Sequence, residues 1–160
     1  MQERINYQQF AHEPLHNLLA IERYLTQSSI EPKLLHLLKL RASQINGCAY
    51  CIDMHSKDAR AAGESEQRLY ALDAWRETPF YTDRERAALE WAEALTLISV
   101  THAPDESYDR VRAHFSEQEI VDLVYAISMI NTWNRIAIST RALPGTYLPA
   151  AKSASAQTHT

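Results

Sequence analysis

A chain of 160 residues can bury roughly 70% of the surface its unfolded form exposes, so one domain with a sizeable core is expected and no covalent staples are needed. Its 46% hydrophobic and 22% charged residues are ordinary for a globular protein, and a net charge of −4 leaves no basic excess for a phosphate backbone, which argues against nucleic acid as a partner. The polar start MQERINYQQFAHEP lacks the apolar stretch of a signal peptide, and no apolar run approaches the roughly 20 residues of a membrane span, so a cytoplasmic protein with no membrane partner is expected.

Three glycines, at 47, 63 and 145, leave little material for hairpin turns, and the abundance of leucine, alanine, glutamate and arginine favours helices throughout. In EPLHNLLAIERYL, Pro14 sits where a first helical turn tolerates it, and Leu15, Leu18, Leu19 and Leu25 recur near the helical period. EPKLLHLLKLRASQI repeats the device from Pro32, and Gly47 stands where that helix stops. A third helix is predicted from about Cys48 to Ala62, closed by Gly63, and SEQRLYALDAWRE forms a fourth before Thr78 and Pro79. TDRERAALEWAEALTLIS opens on Thr82 and Glu85 at capping-box spacing, its charges reading as a solvated face. PDESYDRVRAHF gives a shorter helix. SEQEIVDLVYAISMINTWNRIAIST starts on a second capping box, Ser116 and Glu119, and is apolar around enough of its circumference to be central or at a subunit contact. The expectation is one all-α bundle of six or seven helices over 1–149, with a disordered tail over 150–160.

Both cysteines of the chain fall in NGCAYCIDMH. A crosslink between Cys48 and Cys51 closes too small a loop to remove much unfolded-state entropy, and in a reducing compartment a CxxC pair is more often redox-active or metal-binding than structural. At the start of the third helix the sulfurs lie beside free backbone N–H groups and the positive dipole end, which favours thiolate. Cys48 and Cys51 are one turn apart and His55 a further turn along, so all three share a face. One thiolate can then attack a peroxide oxygen, and the resulting sulfenic acid can be captured by the other thiol, with a histidine handling the proton.

The stretches LLHLLKLRASQINGCAYCIDMHSKDAR, GESEQRLYALDAWRE, FYTDRERAALEWAEALT and INTWNR resemble the alkylhydroperoxidase AhpD-like branch of the carboxymuconolactone decarboxylase superfamily, over nearly the whole chain to about Pro149. The resemblance implies an all-helical thiol peroxidase, trimeric or hexameric, that reduces hydroperoxides without a cofactor and is reset by an external dithiol of lipoyl or thioredoxin type. Carried over, Cys51 is the peroxide-attacking thiol, Cys48 the resolving and reductant-facing thiol, and His55 the proton acceptor. The decarboxylases of the superfamily lack the CxxC pair. Two positions depart from the pattern: the family's glutamate twelve residues before the first cysteine is His36 here, and its histidine before the second cysteine is Tyr50. His36 is therefore a candidate for the proton relay with a different pH dependence.

Two other readings stay open: a non-catalytic redox sensor or adaptor using the same dithiol, and a zinc protein in which His36, Cys48, Cys51 and His55 supply a tetrahedral N2S2 set. The histidines at 12, 16, 102, 114 and 159 are expected at the surface, Trp75, Trp91 and Trp133 in core or interface, and Asn131, Asn134 and Arg135 lining the site or capping a neighbour.

Overall fold

The computed structural model describes residues 2–149, and within them the chain is all-helical, with no strand. The tail expected over 150–160 lies outside the described residues. Eight α-helices follow one another: α1 (His12–Leu25), α2 (Pro32–Asn46), α3 (Ala49–Ala61), α4 (Glu66–Tyr70), α5 (Asp83–Thr96), α6 (Ile98–Thr101), α7 (Asp105–Arg112) and α8 (Glu117–Thr140). Six of them have at least seven residues, matching the six or seven expected; α4 and α6 are single turns. No helix among the described residues is long and apolar enough to cross a membrane.

The middle of the molecule is α2, which packs against α3, α5 and α8. Its apolar run buries Leu34, Leu35, Leu37, Leu38 and Leu40, and the facing side chains are Leu89 of α5 and Leu123 and Ile127 of α8. Each fully buried aliphatic side chain contributes about 1.5–3 kcal/mol, so this stripe fixes the helices that carry the thiols. Both predicted capping boxes form, Thr82 with Glu85 and Ser116 with Glu119, each satisfying otherwise orphaned backbone donors. The long α8 buries residues from Ile120 to Ala137, as its apolar circumference requires.

Two expectations need correction. The segment 65–77 is not one helix: α4 gives way to a 3-10 stretch over Leu72–Glu77, with Ala74 off the helical dihedrals at φ −110° and ψ 31°. Leu69, Leu72 and Trp75 recur every three residues and all are buried. That spacing keeps one face inward on a helix of 3.0 residues per turn, whereas an α-helix rotates it away. The charges of α5 are not a solvated face either. Glu93 accepts from Arg41 Nε of α2 at 2.7 Å and from Trp75 Nε1 at 2.9 Å, and also pairs with Arg76. Arg68 bridges Glu64 and Glu85 at 2.9 and 2.5 Å. Because α2 packs against α5 and the 3-10 stretch reaches Glu93 through Trp75 and Arg76, carboxylates on that side are largely withdrawn from water and take partners there.

Candidate active site

The thiol pair is placed by the way α2 ends. Gly47 adopts φ +68°, a left-handed conformation that side chains resist, and no other atom crowds the position, so glycine is required there for its backbone freedom alone. The Gly47 and Cys48 N–H groups fold back on the carbonyls of Gln44 and Ser43, closing α2 and turning the chain directly into α3. Cys48 is the N-cap of α3, one residue before its first turn, with extended dihedrals, and its sulfur accepts from the Cys51 N–H at 3.4 Å in the role a serine oxygen usually fills.

Both cysteines are free, each 1% exposed, with the sulfurs 2.8 Å apart. The hydrogen bond between the two sulfurs, aided by backbone N–H groups and the Asn134 amide, outweighs burial and brings Cys48 down to about 7. The same contact, with burial and the neighbouring negative sulfur, pushes Cys51 upward. The pair therefore gives up its first proton near neutrality, with the charge on Cys48 supported by its partner.

Asn134 holds this arrangement from α8. Its amide nitrogen donates to Ser43 Oγ at 3.1 Å, its oxygen accepts from Asn46 at 2.8 Å, and Asn46 also donates to Asn131 at 2.9 Å. A buried polar chain thus ties the end of α2, the thiols and α8 together. Arg135 folds back on the Asn131 carbonyl at 2.9 Å and reaches Asn131 Oδ1 at 3.4 Å, so it joins the chain at its Asn131 end. We expect Asn134→Ala to raise the first thiol pKa above about 7, seen as an alkaline shift in the midpoint of the alkylation rate against pH.

Cys51 opens onto a cavity of about 500 Å³ that also receives His55 and Asp58 from α3, His36 and Lys39 from α2, and Glu22 from α1. Leu15, Leu19, Met54 and Trp133 supply apolar wall, and Tyr7, Tyr50 and Tyr147 add aromatic surface to it. All four residues singled out from the sequence meet here: Cys51, His55 and His36 line the cavity, and Cys48 lies behind Cys51 in contact with it. The His36 and His55 rings are 6.4 Å apart, centroid to centroid. Burial drives His55, 6% exposed, well below its ordinary value, with Lys39 and His36 adding to the effect. His36 is lowered by burial and Lys39 against the opposing pull of Asp58. Both imidazoles are therefore neutral at neutral pH.

Several cavity residues escaped the sequence reading. Asp58 continues the register of Cys51 and His55 on one face of α3, so its spacing was a usable signal. Lys39 is one turn beyond His36 on α2, and its ammonium is held by Glu22 at 2.5 Å. Trp133, expected in core or interface, donates its indole N–H to the same Glu22 at 2.9 Å, while Trp75 and Trp91 are core as expected. Tyr147 comes from beyond α8: Gly145 N–H donates to Asp53 at 3.0 Å, Lys57 donates to the Tyr147 carbonyl at 3.1 Å, and the Tyr147 hydroxyl donates to Asp58 Oδ1 at 2.7 Å. No local pattern announces Glu22, Trp133 or Tyr147. The N2S2 zinc set does not assemble. Among the described residues, the metal-capable atoms that converge within 4.8 Å of one another belong to His36, His55 and Asp58, without either sulfur. The histidines at 12, 16, 102 and 114 are exposed as expected, and His159 lies outside the described residues.

Residues 14–94 match the family model of the carboxymuconolactone decarboxylase family. The chain is 50% identical over 139 residues to the uncharacterised protein YdfG of Bacillus subtilis, covering 87% of this chain and 95% of that one. It superposes with a TM-score of 0.88 on the crystal structure of ATU0492 from Agrobacterium tumefaciens, a protein of unknown function provisionally assigned as antioxidant defence protein AhpD. The two are 47% identical over 91% of this chain and all of that one. The debrominase Bmp8 shares the fold at a TM-score of 0.71 and 20% identity, over 82% of this chain and 70% of its own.

Proposed function

We propose, since the chain belongs to the AhpD-like branch of the carboxymuconolactone decarboxylase family, that it is a thiol peroxidase that reduces organic hydroperoxides. The observation that carries this reading is the division of labour around the cavity: Cys51 faces it beside a neutral buried imidazole, and Cys48 touches Cys51 from behind. The provisional assignment of ATU0492 to antioxidant defence points the same way.

In the proposed cycle His55 accepts the Cys51 proton, and the Cys51 sulfur attacks the terminal oxygen of ROOH. The O–O bond breaks, leaving Cys51 sulfenic acid and an alkoxide that takes the proton back from His55 as ROH. A buried imidazolium is a strong acid, so burial serves this second transfer. The Cys48 thiolate then displaces hydroxide from the Cys51 sulfur and a proton completes water, a step for which the two sulfurs, 2.8 Å apart, are already in contact. An external dithiol of lipoyl or thioredoxin type reduces the disulfide by thiol exchange. His36 is assigned to the relay beyond His55. The mostly apolar wall suits an alkyl chain, and a volume of about 500 Å³ is in the range of small-molecule sites. We also propose a homo-oligomer, trimer or hexamer, supported by the exposed Val121, Tyr125 and Ile138 of α8.

The test is catalytic loss of cumene hydroperoxide with dihydrolipoamide or a thioredoxin system. Multiple turnovers per chain are expected, with the rate rising as pH passes about 7, where the thiol pair loses its first proton. One stoichiometric oxidation without turnover would overturn the enzyme in favour of a sensor. His36→Glu is expected to change the pH profile, and an unchanged rate and profile would remove His36 from the relay.

A further inference from the structure

We propose that His36, His55 and Asp58 form a binding site for a divalent first-row transition-metal ion of the zinc class, separate from the thiol pair. Two imidazoles and a carboxylate converge from α2 and α3 with their donor atoms within 4.8 Å of one another. His55 is 6% exposed, and its Nδ1 and that of His36 are buried with no hydrogen-bond partner among the described residues. A buried ring nitrogen without a partner is costly, and such groups are normally satisfied. Asp58 Oδ2 lies 3.8 Å from His55 Nδ1, too far for a hydrogen bond, while Asp58 Oδ1 is already held by the Tyr147 hydroxyl at 2.7 Å. The carboxylate is thus oriented by a neighbour and keeps one oxygen turned inward, as metal-binding carboxylates are.

Zinc bonds of about 2.0–2.1 Å in a tetrahedron put neighbouring donors about 3.3 Å apart, so small side-chain rotations close the observed spacing. Three protein donors leave the fourth position to water from the cavity. Two imidazoles with a carboxylate suit zinc and its first-row neighbours rather than calcium or magnesium, which prefer oxygen ligands. Lys39 is the charge that opposes a cation here, and it is neutralised by Glu22 at 2.5 Å. An ion on His55 would occupy the lone pair that the thiol cycle uses, so metal loading and peroxide turnover exclude one another. That consequence rests on the peroxidase reading; the binding does not.

The test is calorimetric titration of Zn²⁺ into chelator-treated protein carrying Cys48→Ser and Cys51→Ser, which removes thiolates able to bind zinc themselves. One ion per chain is expected. In that background His36→Ala or Asp58→Asn should weaken binding at least about a hundredfold, and Tyr147→Phe about tenfold. Titration of reduced wild-type protein with Co²⁺ needs no variant, and weak ligand-field bands alone are expected. Intense thiolate-to-cobalt absorption overturns the site, as does a folded double-serine protein that binds no Zn²⁺ or binds it equally well after His36→Ala and Asp58→Asn. None of these readouts uses peroxide, so their failure is distinct from failure of the peroxidase.

Discussion

Cys51→Ser should abolish catalytic hydroperoxide consumption, lowering it at least about a thousandfold, as loss of a nucleophile does. Cys48→Ser should also stop turnover, because no second thiol remains to capture the sulfenic acid, yet it should still permit one oxidation per chain. That oxidised sulfur should be trappable by dimedone and visible as a single adduct on Cys51 by mass spectrometry. The paired experiment matters because two features of the site pull apart. The cavity reaches Cys51, whereas hydrogen bonding and charge place the first thiolate on Cys48. We favour the geometric assignment: attack needs a path to the oxygen, and proton transfer between touching sulfurs, or to His55, can move the charge. If Cys48→Ser abolishes the single oxidation while Cys51→Ser retains it, the two roles are reversed.

Glu93→Ala should destabilise the fold by about 3 kcal/mol, the scale of breaking a buried charge network by removing one partner. For a chain of this size that corresponds to a melting temperature lower by about 6–12 °C. Glu93 takes hydrogen bonds from Arg41, Trp75 and Arg76, tying α2, α5 and the 3-10 stretch at one place, and its deletion leaves a buried indole N–H without a partner and the buried Arg41 guanidinium with Asp73 as its remaining carboxylate. Burial pushes its carboxyl upward, but the bonds from Trp75, Arg76 and Arg41 outweigh this and hold it below its ordinary value. A depressed carboxyl contributes stability that is fully present above its unfolded value of about 4.3 and is lost as pH falls through the folded one. The gap between wild type and variant, measured by urea unfolding, should therefore be full at pH 7 and shrink on acidification below about 4. A gap that stayed constant would assign the loss to packing alone.

Much of the helical layout could be read directly because its signals are local. Pro32 and Gly47 bracket α2, the two capping boxes start α5 and α8, and leucine spacing shows which faces turn inward. The three-residue recurrence of Leu69, Leu72 and Trp75 was equally local, but the surrounding helix formers masked it. In the site, Cys48, Cys51 and His55 were legible because they share one helix, and His36 because it stands at a position where the family resemblance expects a glutamate. Asp58 lay within reach of the same spacing argument. Glu22, Trp133 and Tyr147 were not legible: they join the cavity only after α1, α8 and the following segment have packed, and nothing in their own neighbourhoods distinguishes them from core or surface residues. The charges of α5 misled for the same reason, since only the packed partner reveals that a carboxylate has lost its water.

Tyr7 and Tyr147, some 140 positions apart, close the same chamber that Cys51 opens onto. The reactive atoms are drawn from α2, α3 and the turn between them, and part of the enclosure from the segments that precede α1 and follow α8. Substitutions at Tyr7 or Tyr147 should therefore reshape the chamber while the thiol pair stays where it is, which makes these two flanking segments the natural place to look for divergence in what the chamber admits.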